Sequence, residues 1–196
     1  MDSVHFRDSF LIICPGIHEP QLTQDFLEGL NGSETGNSPS CLSENVLIFP
    51  TQDYPAYSAV HIVEFLQSHP NLLKMPIVFI SFSAGVAGAI GAAWGWQLLG
   101  GTVKAFIAFD GWGVPLYGNF PIHRLSHDYF TYWSSALLGS GEDNFYADPA
   151  VEHLDLWRSP YTCQGWWVHS AAEGKPEQRT FTTAAQFVNQ LLQFYI

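Results

Sequence analysis

Positive charge is what this sequence has least of. Its 196 residues include 7 Lys and Arg against 18 Asp and Glu, a net charge of −11. Phosphate backbones are bound by basic faces, so no nucleic-acid partner is expected, and an anionic membrane surface would repel the chain. Charge of either sign is thin. Charged residues make up 13% of the chain, against about 25% in an average domain, while 47% are hydrophobic. Such a composition excludes a disordered chain, and the length suits a single domain with a sizeable core. Cysteine is also scarce. Cys14, Cys41 and Cys163 form no C-x-x-C pattern and read as free thiols of a reducing compartment, for which the cytoplasm is the default. The opening "MDSVHFRDSFLIICPG" has no basic stretch ahead of an apolar core of signal length. The histidines are scattered: H-E-x-x-H is absent, and His18-Glu19 and Glu152-His153 are isolated pairs. No metal is expected from them. No cofactor is expected either, since no G-x-G-x-x-G follows a strand and there is no P-loop lysine.

What is present is a long charge-free run, Pro76 to Val103. Runs above about 18 residues are candidates for a membrane span. Here the first part is β-branched and aromatic, Ser81 and Ser83 interrupt it, and no Lys or Arg cluster flanks it. Gly85, Gly88, Gly91 and Gly95 recur at helical steps and make one smooth face. The run therefore reads as a buried strand followed by a closely packed helix, with no stable membrane span.

The remainder alternates in the same way. "SFLIICPG", "VLIFP" (Val46 to Pro50), "PIVFIS" and "VKAFIAFDGWG" are short apolar runs closed by turn residues, and each reads as a buried strand. Between them, "PQLTQDFLEGLNG", with Leu22, Phe26, Leu27 and Leu30 on one face, "AYSAVHIVEFLQSHP", with Val60, Val63 and Leu66 or Phe65 inward, and Ala84 to Leu99 read as helices. Between the first helix and the second strand, "GSETGNSPSCLSEN" reads as a polar loop. Strands alternating with helices predict an α/β fold, a three-layer sandwich around a mostly parallel sheet covered on both faces. From Pro115 to Pro160 the pattern lapses into an irregular, aromatic-rich stretch, which reads as a lid or cap excursion with short helices. "QGWWVHS" then reads as the last strand and "TTAAQFVNQLLQFY" as a terminal helix with Phe187, Leu191 and Phe194 inward. No internal repeat or linker divides the chain, so residues 1–196 read as one domain.

In an open parallel sheet, ligands and reacting groups lie at the carboxyl ends of the strands. That rule brings Ser83, Asp110, His169 and the Pro15-Gly16-Ile17-His18 turn to one edge. Ser83 stands between a strand and a helix with small residues around it. Such a serine either caps the helix or is held out on a strained turn as a nucleophile. The stretch Ser81-Phe82-Ser83-Ala84-Gly85 resembles the nucleophile elbow G-x-S-x-G of the α/β-hydrolase superfamily, with serine in place of the first glycine. The likeness extends to the sheet order, beginning at what would be the family's third strand, as in a minimal member such as a small serine esterase.

The resemblance implies Ser83 as nucleophile and an oxyanion hole from the Ala84 amide together with that of Ile17 or His18. The family's order of serine, acid, histidine implies His169 as base, after the last strand. It implies Asp110 as acid, taken from the strand after the nucleophile helix as in some lipases. His123, His127 with Asp128, and His153 with Asp155 lie in the excursion, and His127 or His153 is the alternative base. The expected activity is hydrolysis of a small apolar ester or thioester. The other reading is a non-catalytic binding or scaffolding protein that keeps the apolar pocket.

Overall fold

The computed structural model describes residues 9–31, 45–139, 141–169 and 178–196. The predicted polar loop and Cys41 lie in the stretch 32–44, outside the described residues. Among the described residues eight strands form one sheet: β1 (Phe10–Cys14), β2 (Val46–Ile48), β3 (Pro76–Phe82), β4 (Thr102–Phe109), β5 (Ile122–Ser126), β6 (Asn144–Ala147), β7 (Gln164–Val168) and β8 (Arg179–Thr183). Their order is β2-β1-β3-β4-β5-β6-β7-β8. The first six are mutually parallel, while β7 is antiparallel to β6 and β8 to β7. Six helices accompany them: α1 (Pro20–Asn31), α2 (Ala59–Gln67), α3 (Ala84–Leu98), α4 (Tyr129–Ala136), α5 (His153–Arg158) and α6 (Ala184–Tyr195).

Alternate residues of the central strands feed two cores. Leu11, Ile13, Val78, Ile80, Ile107 and Phe109 face one way, toward Phe26 of α1, Trp157 of α5 and Phe187 of α6. Ile12, Cys14, Ile77, Phe79, Phe106 and Ala108 face α2 and α3 through Ile62, Leu66, Ala89 and Trp96. Burial on both faces is why these strands carry uninterrupted apolar runs. No described helix is long and apolar enough to cross a membrane. The glycine face of α3 serves close packing. A Cβ on Gly85 would fall 2.3 Å from the Pro15 carbonyl oxygen, and one on Gly88 2.4 Å from that of Ala56. The face therefore meets the end of β1, the segment leading into α2, and α2 itself.

Three expectations change. The stretch from Pro115 to Pro160 supplies β5, α4, β6 and α5, so two strands of the sheet lie in what reads as a lid. Val60 and Phe194, expected inward, are 65% and 81% exposed. Finally, β7, expected as the last strand, is followed by β8 and runs opposite to both strands it pairs with. α5, with 6 residues, holds His153 beside Ser83 at the carboxyl edge, and the chain enters β7 from that side. β7 therefore starts at the carboxyl edge, with Gly165 opposite Ala147, and ends at the other, with Val168 opposite Asn144.

Candidate active site

Ser83 sits between β3 and α3 with φ 53° and ψ −123°. A non-glycine residue held there costs on the order of 1–3 kcal/mol. The surroundings hold it: the Ser83 amide donates to the Phe109 carbonyl at 2.9 Å, and a Cβ on Gly16 would lie 3.0 Å from the Ser83 Cβ. Only glycine at position 16 lets the β1–α1 turn pass this close. Ser83 makes no side-chain cap bond to α3. Its hydroxyl instead lies 3.1 Å from His153 Nε2.

His153 opens α5, and its Nδ1 is 2.8 Å from Asp110 Oδ2. Asp110 ends β4 at φ 48°, with a side chain 1% exposed. A carboxylate accepts only, so His153 carries its proton on Nδ1 and turns the Nε2 lone pair toward the serine hydroxyl. The imidazole stacks on Phe82, centroids 4.7 Å apart at 24°. One turn further along α5, Trp157 stacks on Phe82 and on Phe26. Spacing by four puts both side chains on one helix face, so the buried indole fixes the helix that carries the histidine.

A second imidazole shares the carboxylate. The His127 amide donates to Asp110 Oδ1 at 2.9 Å, and His127 Nδ1 donates to Oδ2 at 2.9 Å. His127 is shifted above the ordinary imidazole pKa, chiefly by its hydrogen bond to Asp110, against the opposing effect of burial. Asp110, His127 and His153 each place one possible ligand atom within 4.8 Å of the others. Both Nδ1 atoms stand at N–H···O distance from Oδ2, and the trio is a hydrogen-bonded set with its protons accounted for.

The structure thus brings together Ser83, Asp110, Ala84 and, through Gly16, the turn after β1, and it does not bring His169 to them. His169 follows the antiparallel β7, so the carboxyl-end rule that placed it beside Ser83 puts it at the opposite edge. There its Nε2 meets Thr180 Oγ1 at 2.8 Å and its Nδ1 lies 3.7 Å from Asp143. The imidazole next to Ser83 is that of His153, an alternative in the sequence, which follows the last parallel strand. His123 is buried between the Asp143 carbonyl and the Tyr195 hydroxyl, away from this edge. Asp155 pairs with Arg158 on α5, and Asp128 caps α4 through the Thr131 amide.

As first residue of α3, Ala84 has an amide with no intrahelical acceptor. The His18 ring packs on Phe82 and Trp157. A cavity of about 470 Å³ opens over Ser83, walled by Trp112, Val114, Phe130 and Thr131 beside the polar set. Sequence reading passed over Trp112 as a wall residue, although its place two residues after Asp110 was a usable signal. A depression of about 590 Å³ is lined by Ile17 and His18 with the segment before α2, another of about 440 Å³ lies by α1 and α5, and Ser83 lines neither. Comparison with family models, with curated proteins and with solved structures returns no match for this chain.

Proposed function

We propose that the protein is a serine hydrolase of α/β-hydrolase type, cleaving a carboxylic ester or thioester with an apolar acyl or alcohol part. The observation that carries this reading is the continuous line from Ser83 Oγ to His153 Nε2 at 3.1 Å and from His153 Nδ1 to Asp110 Oδ2 at 2.8 Å. A binding protein has no need of a serine in a strained conformation aimed at an imidazole, whereas a nucleophile does. The chain order of serine, acid and histidine, with the histidine after the last parallel strand, agrees with the family's.

In the reaction Ser83 Oγ attacks the acyl carbon while His153 Nε2 takes its proton. The new imidazolium keeps its Nδ1–H on Asp110. The carbonyl oxygen becomes an oxyanion held by the Ala84 amide and by the Ile17 or His18 amide. His153 then hands its proton to the departing alkoxide or thiolate, giving an acyl-serine and a free alcohol or thiol. Water, deprotonated by the same imidazole, releases the carboxylic acid and restores Ser83.

The test is a series of p-nitrophenyl esters with lengthening acyl chains, run on the wild type and Ser83→Ala. Turnover by the wild type should rise with chain length by up to about 0.8 kcal/mol per buried methylene. Phe130→Ala should flatten that slope, and Ser83→Ala should lose about 10⁴-fold or more. Equal turnover by wild type and Ser83→Ala would refute the assignment. A flat wild-type profile would redirect it to small esters.

A further inference from the structure

A serine–histidine–acid relay needs one imidazole on its carboxylate, and Asp110 has two. Of the three hydrogen bonds that Asp110 accepts from the two histidines, His127 supplies two, from its amide and its Nδ1. The rings of His127 and His153 stand 5.9 Å apart at 81°. The ionisable groups around His127 come from every neighbouring element. Asp110 ends β4, Asp128 follows His127 with its Oδ2 3.8 Å from Nε2, Glu152 precedes α5, and His153 opens it. Three carboxylates and one imidazole surround a ring that also lines the cavity over Ser83.

We propose that His127 is a positioning residue that orients Asp110 and, by taking up a proton, switches the candidate active site off; the switch rests on the serine-hydrolase reading above. Neutral His127 donates Nδ1–H to Asp110 and leaves the negative charge of the carboxylate to stabilise the imidazolium that His153 becomes during attack. When hydronium hands a proton to His127 Nε2, an N–H bond forms as an O–H bond breaks, water leaves and the ring becomes a cation. Its bond to Oδ2 is then charge-assisted, and Asp110 is claimed by the wrong imidazole. His153 must next become a second cation beside the first. A unit charge at that separation, at an effective dielectric of about 20, opposes another. The carboxylates hold the His127 proton at higher pH than an ordinary imidazole would, which moves the switch toward neutrality.

On this proposal a proton on one ring opposes a proton on the other. The probe is a fluorophosphonate, which reports Ser83 reactivity without knowledge of the natural substrate. Rates are followed from pH 5 to 9 for the wild type, His127→Asn and His127→Leu. Asparagine offers an N–H to Asp110 but does not titrate, and leucine does neither. The wild-type rate should fall on acidification more steeply than one proton allows. His127→Asn should show a single-proton fall and retain about tenfold more of its plateau one pH unit below the second step. His127→Leu should lose about tenfold at all pH, with asparagine recovering most of it. Identical acid limbs in the wild type and His127→Asn overturn the proposal, even if both variants are slow, because a merely structural histidine would give that result. A wild type that never labels refutes the hydrolase reading instead. The coupling is then read from the imidazole NMR signals in Ser83→Ala. The His153 signals should follow two steps there and one step when His127→Asn is added, and one step in both proteins overturns it.

Discussion

Two histidines, His153 and His169, each follow a short strand in the second half of the chain, and their surroundings separate them. His153 touches a serine hydroxyl and a carboxylate 1% exposed. His169 touches a threonine at the far edge of the sheet and stacks on Trp167. Replacing His153 by alanine should cut fluorophosphonate labelling of Ser83 by about 10³-fold or more. His169→Ala should leave labelling within about twofold and lower stability by about 1 kcal/mol or less, the worth of one hydrogen bond near the surface. Labelling lost in His169→Ala but kept in His153→Ala would reverse the assignment. Ser83 and Asp110 are legible in the sequence because each lies at the end of a strongly apolar parallel strand, where small residues mark a turn. His153 was only one of several histidines, because "VEHLDLW" looks like any short amphipathic helix until Trp157 is known to be buried.

At the scale of the element, legibility followed apolar character. β1, β3 and β4 lie near the centre of the sheet and read correctly as unbroken runs. β5 did not, since Ile122–Ser126 contains His123, Arg124 and Ser126, all buried. Their polar groups are met from outside the strand. Arg124, for example, donates to the carbonyls of Gly139, Val114 and Leu138, and burial pulls its guanidinium down to about 10. No local pattern announces such long-range partners. The direction of β7 was hidden for another reason, because hydrophobicity records burial and not chain sense. α5 gives the element-scale prediction. Trp157 is fully buried between Phe26, Phe82 and Phe109, and its Nε1 has no hydrogen-bond partner among the described residues. Trp157→Ala should cost about 3–5 kcal/mol and, under conditions where it stays folded, slow Ser83 labelling by about tenfold or more. Trp157→Phe keeps an aromatic ring in the stack and removes the unpartnered N–H, so it should stay within about 1–2 kcal/mol and label nearly as fast as wild type. A folded Trp157→Ala protein that labels at the wild-type rate would show that α5 is fixed by something else.

For the molecule as a whole, acid acts on stability and on the candidate site in opposite directions through His127, and His123 opposes it. His127 is raised above the ordinary imidazole value. Its contribution to stability is fully present below about pH 6.5, the unfolded value, and is lost as pH rises through the folded one. His123 is lowered, mainly by burial. Its contribution is present above about pH 6.5 and is lost as pH falls through its folded value. The protonation that stabilises the fold through His127 is the one expected to silence Ser83, so the protein should be least reactive where this histidine holds it most firmly. A net charge of −11 adds a background, because acidification relieves self-repulsion, but this term cancels between the wild type and neutral single-site variants. The measurement is the Tm of the wild type, His127→Asn and His123→Gln at pH 8 and pH 5.5 in one salt concentration. The deficit of His127→Asn relative to the wild type should widen on going to pH 5.5, and that of His123→Gln should narrow. Differences that stay constant with pH, or that move together, would show that neither histidine couples folding to protons in this way. The opposition between stability and reactivity would then have no basis in the fold.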